Sequence, residues 1–237
     1  MLLRHLHLPG LTHYTHASTL QDKLVSTLLA YKAGPTSTPI PDPAIITAQF
    51  DPVYTCGRRE IGTVTSRQKD YLTGKTVHGQ AEFHEALRGG QTTFHGPGQL
   101  IAYPIVDLRR HNISPRCYIH LLESVVIQTC AQYGVDAMRT ENPGVWVSEQ
   151  EKICAVGVHL RRNVTSHGIG LNVDTDLSWF GRIVGCGLEG KGTTSLQAMG
   201  VKPPPAVEDV AEVFVGHFAQ GLKNVETIKR IGEADVD

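Results

Sequence analysis

Residues 88–99 read Arg-Gly-Gly-Gln-Thr-Thr-Phe-His-Gly-Pro-Gly-Gln and lead directly into the apolar stretch Leu-Ile-Ala-Tyr-Pro-Ile-Val at 100–106. Glycine lets a backbone turn tightly and lets another molecule approach the main chain closely. Four glycines in this run, with His95 in their midst and a strand-like segment behind, read as a loop lying over a ligand. The plainer alternative is an elaborate connection between strands.

The rest of the chain indicates the architecture that would carry such a loop. Residues 2–8 alternate, Leu6 and Leu8 against His5 and His7, as a half-buried strand does. Residues 15–31 place Leu20, Leu24, Leu28 and Tyr31 in a helical stripe that Gly34 can stop. A proline-rich loop at 34–43, a short strand at 44–50, a turn at Asp51-Pro52 and a basic loop at 55–59 follow. The polar stretch 60–84 has no sustained period and reads as an excursion with at most a short helix. Two strands are expected to flank the glycine-rich run. Ser114-Pro115 is a strong helix start; Ile119, Leu122, Val126, Cys130 and Tyr133 share one face, and Gly134 ends the element. Strands are expected at 135–138, 144–148, 152–160 and 167–173, the last three as a meander, then a helix at 207–222 after three prolines. Clustered strands with helices between the clusters predict a mixed α/β (α+β) domain whose helices cover a sheet. A dinucleotide fingerprint and a P-loop are both missing. Residues 1–237 read as one domain, with the carboxy-terminal thirty residues a candidate small lobe.

Composition removes several classes of function. A chain of 237 residues, 41% hydrophobic and 19% charged with a formal net charge of −1, can bury a core without disulfides. It lacks the basic surplus of a nucleic-acid binder or a membrane-surface anchor, so neither partner is expected. No apolar run approaches the roughly eighteen residues that cross a bilayer. Five cysteines (56, 117, 130, 154 and 186) with no C-x-x-C pair point to free thiols rather than a disulfide framework or a zinc knuckle. His5 and His7 lack a third ligand, and no metal site is expected. Residues 1–21 hold Arg4 and four histidines but no acid, a bias of mitochondrial transit segments. The same stretch also reads as a strand entering a helix.

A cysteine nucleophile needs an accessible thiolate, which nearby cations or backbone dipoles can supply. Cys130 falls on the helix stripe and Cys154 inside an apolar strand, so both read as packing residues. Cys117 lies in the first turn of its helix, and Cys56 precedes Gly57-Arg58-Arg59. Cys186 sits between Gly185 and Gly187, where flanking glycines expose the thiol and free main-chain N–H groups to face a carbonyl. The physics leans to Cys186 and leaves Cys56 and Cys117 open. Lys152 opens an otherwise apolar strand; it either snorkels at the strand end or reaches a thiol and favours its thiolate. His95 is free to bind substrate, move a proton or brace its loop.

The run 88–104 closely resembles the signature of the lipoyl(octanoyl) transferase family. The likeness continues through Gly144-Val145-Trp146-Val147, Lys152-Ile153-Cys154-Ala155-Val156-Gly157, His167-Gly168-Ile169-Gly170-Leu171-Asn172-Val173, Ile183-Val184-Gly185-Cys186-Gly187-Leu188 and Thr194-Ser195-Leu196. It is best over 85–200, and Leu11-Thr12-His13-Tyr14 also looks like the family's opening. Gly170 stands where a slightly larger residue is common, and 189–192 form a glycine-rich loop like that of the eukaryotic branch.

The resemblance implies the fold of lipoate and biotin protein ligases, a mixed sheet packed with helices. It implies that Cys186 is the nucleophile and Lys152 the lysine that lowers its pKa. It also implies that Arg88, Gly89, Gly90, Gln91, Thr92, Thr93, Phe94 and His95, with Ala155, Val156, Gly157, Gly168, Ile169 and Gly170, line an acyl pocket. The implied activity moves octanoyl from acyl carrier protein to a lipoyl-domain lysine through a Cys186 thioester, without ATP or any cofactor. The implied acceptors are lipoyl domains of 2-oxoacid dehydrogenase complexes and the glycine cleavage H protein. The expected compartment is the mitochondrion, or the cytoplasm for a bacterial chain. An ATP-dependent lipoate or biotin ligase on the same fold, and a non-catalytic carrier-binding module, are the alternatives.

Overall fold

The computed structural model describes residues 1–34, 39–183 and 190–236. In chain order the elements are β1 (Leu2–Thr12), α1 (Tyr14–Ala33), β2 (Ala44–Phe50), β3 (Val53–Cys56), α2 (Ser66–Thr73), β4 (Glu82–Glu85), β5 (Thr93–His95), β6 (Gln99–Ile105), α3 (Pro115–Gln132), β7 (Val145–Trp146), β8 (Glu151–Arg161), β9 (Val164–Asn172), β10 (Gly192–Thr193), α4 (Val207–Gly221) and β11 (Thr227–Ile231). Among the described residues the main sheet has eight strands in the order β10-β8-β9-β6-β2-β1-β11, with β7 beside β8. Its centre is antiparallel, β2 to β6 to β9 to β8, while β1 runs parallel to both β2 and β11. A second, three-stranded sheet has the order β4-β3-β5.

The central strands are apolar on both sides because both faces of the sheet are covered. Ile45 and Leu100 join the cluster beneath α3 and α4, which includes Tyr118, Leu122, Val126, Phe214 and Phe218. Their neighbours Ile46 and Ile101 point the other way, to Leu20, Leu24 and Leu28 of α1. That is the period-two alternation of a strand dividing one chain between two cores. Tyr54, Leu72, Phe94 and Trp179 form a third cluster with the small sheet.

The helix starts follow local chemistry. Ser114 Oγ accepts the Cys117 N–H at 3.2 Å with Pro115 in the first turn, and Gly134 takes a left-handed φ of 73° just past the end. Within 60–84 the short helix is α2, started by a reciprocal capping box of Thr65 and Gln68. Three expectations need correction. Residues 135–138 form no strand; only Met138 bridges Trp146. Thr55 and Cys56 belong to β3 rather than to a loop. The carboxy-terminal residues are not a separate lobe, since β11 adds to the main sheet through β1. His5 Nε2 and His7 Nδ1 both meet the Thr47 hydroxyl, at 2.8 and 3.0 Å.

Candidate active site

The site begins as a gap in a sheet. In β8 and β9 Ala155 pairs with Gly170 and Gly157 with Gly168, so four small residues fall on one face of two adjacent strands. Val156 and Ile169 alternate to the opposite face and join the helical core. The missing side chains leave a trough. Its depth is set by close backbone: a methyl on Gly168 would lie 2.1 Å from the Ala102 carbonyl oxygen.

The glycine-rich run roofs this trough. Gly89 N–H donates to the Val158 carbonyl at 3.0 Å, and a methyl on Gly157 would meet Arg88 Cδ and the Gly89 oxygen at 3.2 Å. Arg88 is buried and ties the run to β3, its guanidinium donating to the Thr55 carbonyl at 2.6 Å and hydroxyl at 2.8 Å. The resulting cavity is lined by Arg88, Gly89, Gly90, Gln91, Thr93, His95, Ala155, Val156, Gly157, Gly168, Ile169 and Gly170, together with Tyr103 and His167.

Two residues expected in this lining lie elsewhere. Phe94 sits between Thr93 and His95 on β5, so strand alternation turns its ring away; it stacks on Trp179 at 5.1 Å in the third cluster. Thr92 gives its N–H and hydroxyl to Glu60 Oε2, both at 2.6 Å, and lines a neighbouring cleft.

A buried polar chain runs from the cavity to Lys152. His95 Nδ1 lies 2.7 Å from Gln99 Oε1 and therefore donates to it. Gln99 Nε2 donates to Asn172 Oδ1 at 2.8 Å, and Asn172 Nδ2 to the Thr194 carbonyl at 2.9 Å. Thr194 N–H then donates to the Lys152 carbonyl at 2.8 Å. Burial, aided by the Arg88 charge, lowers the His95 pKa to about 3. His95 is thus a neutral imidazole at physiological pH, a brace and hydrogen-bonding group. Its neighbour across the cavity, His167, is lowered to about 3 by the same causes.

Lys152 is 8% exposed and extends over Gly144, where an added methyl would meet its Cε at 3.2 Å. Its Nζ lies 4.6 Å from the centre of the Trp146 ring, and Lys191 Nζ lies 5.3 Å from the same ring. Trp146 is in turn fixed by Nε1 donating to the Asn142 carbonyl at 3.2 Å. A second cavity contains Lys152, Trp146, Ile183, Lys191, Gly192 and Thr193, and shares Thr93, Ala155 and Gly170 with the trough. Lys152 and the glycine-lined trough therefore adjoin. Cys186 lies outside the described residues.

None of the other thiols, at 56, 117, 130 and 154, lines either cavity. Burial raises Cys56 despite the arginines that follow it, because its side chain is inside β3 while theirs are exposed. Cys130 is raised to about 12, and Cys154 well above its ordinary value. Cys117 is exposed on the outer end of α3. Sequence reasoning assigned no role to Gln99, Tyr103, Trp146, His167 or Asn172. The available signal was polarity out of place: Gln99 and Asn172 each border an apolar strand, where a buried amide needs a partner.

A covered mixed sheet with a glycine-lined trough and a buried lysine is the frame of a lipoate-ligase type catalytic domain. The model for lipoyl protein ligase A/B catalytic domains matches residues 13–219, and the chain belongs to that family. It is 51% identical over 192 residues to a Schizosaccharomyces pombe protein named "Probable octanoyltransferase", covering 81% of this chain and 83% of that one. It is 41% identical over 212 residues to the mitochondrial octanoyl-acyl-carrier-protein:protein N-octanoyltransferase of Xenopus tropicalis, covering 89% and 84%. Among solved structures, a lipoate-protein ligase A bound with ATP superimposes with a TM-score of 0.69 at 13% identity, covering 100% of this chain and 92% of that one. That likeness speaks for the fold alone.

Proposed function

We infer that this chain, acting over residues 1–237 as one catalytic unit, is a lipoyl(octanoyl) transferase that carries its acyl group on Cys186. It is an octanoyltransferase of protein lipoylation, like its relatives, and its compartment is mitochondrial, as the Xenopus relative's name has it. The donor is octanoyl-acyl carrier protein. The acceptors are lysines of the lipoyl domains of 2-oxoacid dehydrogenase complexes and of the glycine cleavage H protein.

One observation carries the mechanistic reading. Ile183 and Lys191, the described residues nearest either side of Cys186 that line a cavity, line the same one as Lys152, and that cavity shares Thr93, Ala155 and Gly170 with the trough. In the first step the Cys186 thiolate attacks the donor carbonyl, and the carbon–sulfur bond to the phosphopantetheine arm breaks. The arm leaves as a thiol, its proton coming from the Lys152 ammonium. In the second step the acceptor amine attacks the Cys186 thioester, its proton passes to Lys152, and the cysteine is released as an amide forms. Thioester exchange is close to balanced and amide formation runs downhill, so no nucleotide is consumed. The octanoyl tail fills the trough beneath Arg88–Gln91, with Thr93, His95, Ala155–Gly157 and Gly168–Gly170 around it.

Incubation with octanoyl-acyl carrier protein followed by intact-mass measurement is the test. Wild-type enzyme gains one octanoyl group and Cys186→Ser gains none; Lys152→Ala acylates at least about a hundredfold more slowly. Acylation that persists in Cys186→Ser overturns the assignment. Product formed from free octanoate and ATP would assign a ligase instead.

A further inference from the structure

A further cleft, of about 320 Å³, is lined by the buried Lys152 and by the exposed Arg59 and Pro143, with Ile119 and Asn142 beside them. It shares Gly89, Gly90, Gln91, Val156 and Gly157 with the trough. Lys152 at its inner end is buried and Arg59 at its outer end is exposed. Resting on the transferase reading above, we propose that this cleft seats the phosphopantetheine arm of the donor, with the Arg59 guanidinium gripping the arm's phosphodiester at the mouth.

A thioester whose acyl tail fills the trough and whose carbonyl lies by Lys152 must send the remainder of the donor out another way. This cleft is lined by both buried Lys152 and solvent-exposed Arg59 and Pro143. Its lining matches the arm: Ile119, Pro143 and Val158 for methylene and gem-dimethyl groups, Gln91 and Asn142 for amides. The mouth then supplies the cation that a phosphodiester needs.

Arg59 is held there by its backbone, its N–H donating to the Gly90 carbonyl at 3.3 Å, while Arg58 N–H donates to the Arg88 carbonyl at 2.9 Å. Among the described residues neither guanidinium has a carboxylate partner, and the nearby acids are engaged. Glu60 accepts from Thr92, and Glu85 pairs with Lys69 at 3.6 Å. The surrounding field is positive as well: besides burial, the charges of Arg58 and Arg161 hold His159 below its ordinary pKa.

The test compares enzyme acylation by octanoyl-phosphopantetheine and by octanoyl-pantetheine, which lacks the phosphate. Wild-type enzyme is expected to use the phosphorylated donor with about tenfold higher kcat/KM. Arg59→Gln should erase that preference and Arg59→Lys should keep part of it. Equal use of both donors by wild-type enzyme overturns the proposal. So does an Arg59→Gln variant that loses the same factor with each donor, which would mark Arg59 as structural. If octanoyl-acyl carrier protein acylates the wild-type enzyme but neither small thioester does, the cleft proposal is overturned; if none of the three acylates it, the transferase reading itself fails, an outcome distinct from failure at Arg59.

Discussion

His167 holds a left-handed backbone, φ 55°, in the middle of β9, a conformation few non-glycine residues adopt. Its N–H donates to Gln21 Oε1 of α1 at 2.6 Å, and its ring packs edge-on to Tyr103 at 5.4 Å. Folding buries the imidazole uncharged. A histidine whose pKa falls from 6.5 to about 3 binds fewer protons folded than unfolded, so stability rises with pH between those values. Lowering the pH from 7 to 5 should therefore cost roughly 2 kcal/mol through His167 alone. His167→Asn, which tolerates the same backbone, should lose that much less over the interval, as urea denaturation at both pH values would show. Its neighbour Gly168 leaves no such room. Gly168→Ala drives a methyl into the Ala102 carbonyl and should destabilise by about 3 kcal/mol or more, measurable in the same denaturation experiment.

At the level of elements, the short β7 exists to support Lys152. Glu123 Oε1, buried on α3, accepts the Gly144 N–H at 3.2 Å, while Trp146 supplies an aromatic face to the ammonium. Trp146→Leu removes the face and should lower kcat/KM about tenfold, with Trp146→Phe retaining most activity. Melting curves on both variants separate this effect from lost stability. The strongly periodic elements α1, α3 and α4 were legible in the sequence to within a few residues, because each buries one continuous stripe. The faces of short strands were not. Thr92 and Phe94 share a motif with pocket residues, but Glu60 and Trp179, distant in sequence, claim their side chains. Cys56 stayed open as a candidate thiol because adjacent arginines say nothing about the side on which a strand residue points.

For the molecule as a whole, the resemblance carried in a few glycine-rich motifs implied the fold, and local pattern alone would have left β11 unplaced. Its exposed, charged residues give little burial signal, yet Leu2 to Leu6 pair with Thr227 to Ile231 along one edge of the main sheet. Deleting residues after 222 should bare the β1 edge and the α1 surface that Val236 covers. The expected outcome is a lower melting temperature and self-association, read by light scattering. The trough, by contrast, lies near the sheet's best-covered strands. A hollow made by omitting side chains from two hydrogen-bonded strands has walls that cannot part, so it acts as a fixed gauge of chain length. Ala155→Val, adding two carbons to that wall, should reset the gauge toward shorter acyl groups, a change visible in competition between hexanoyl and octanoyl donors.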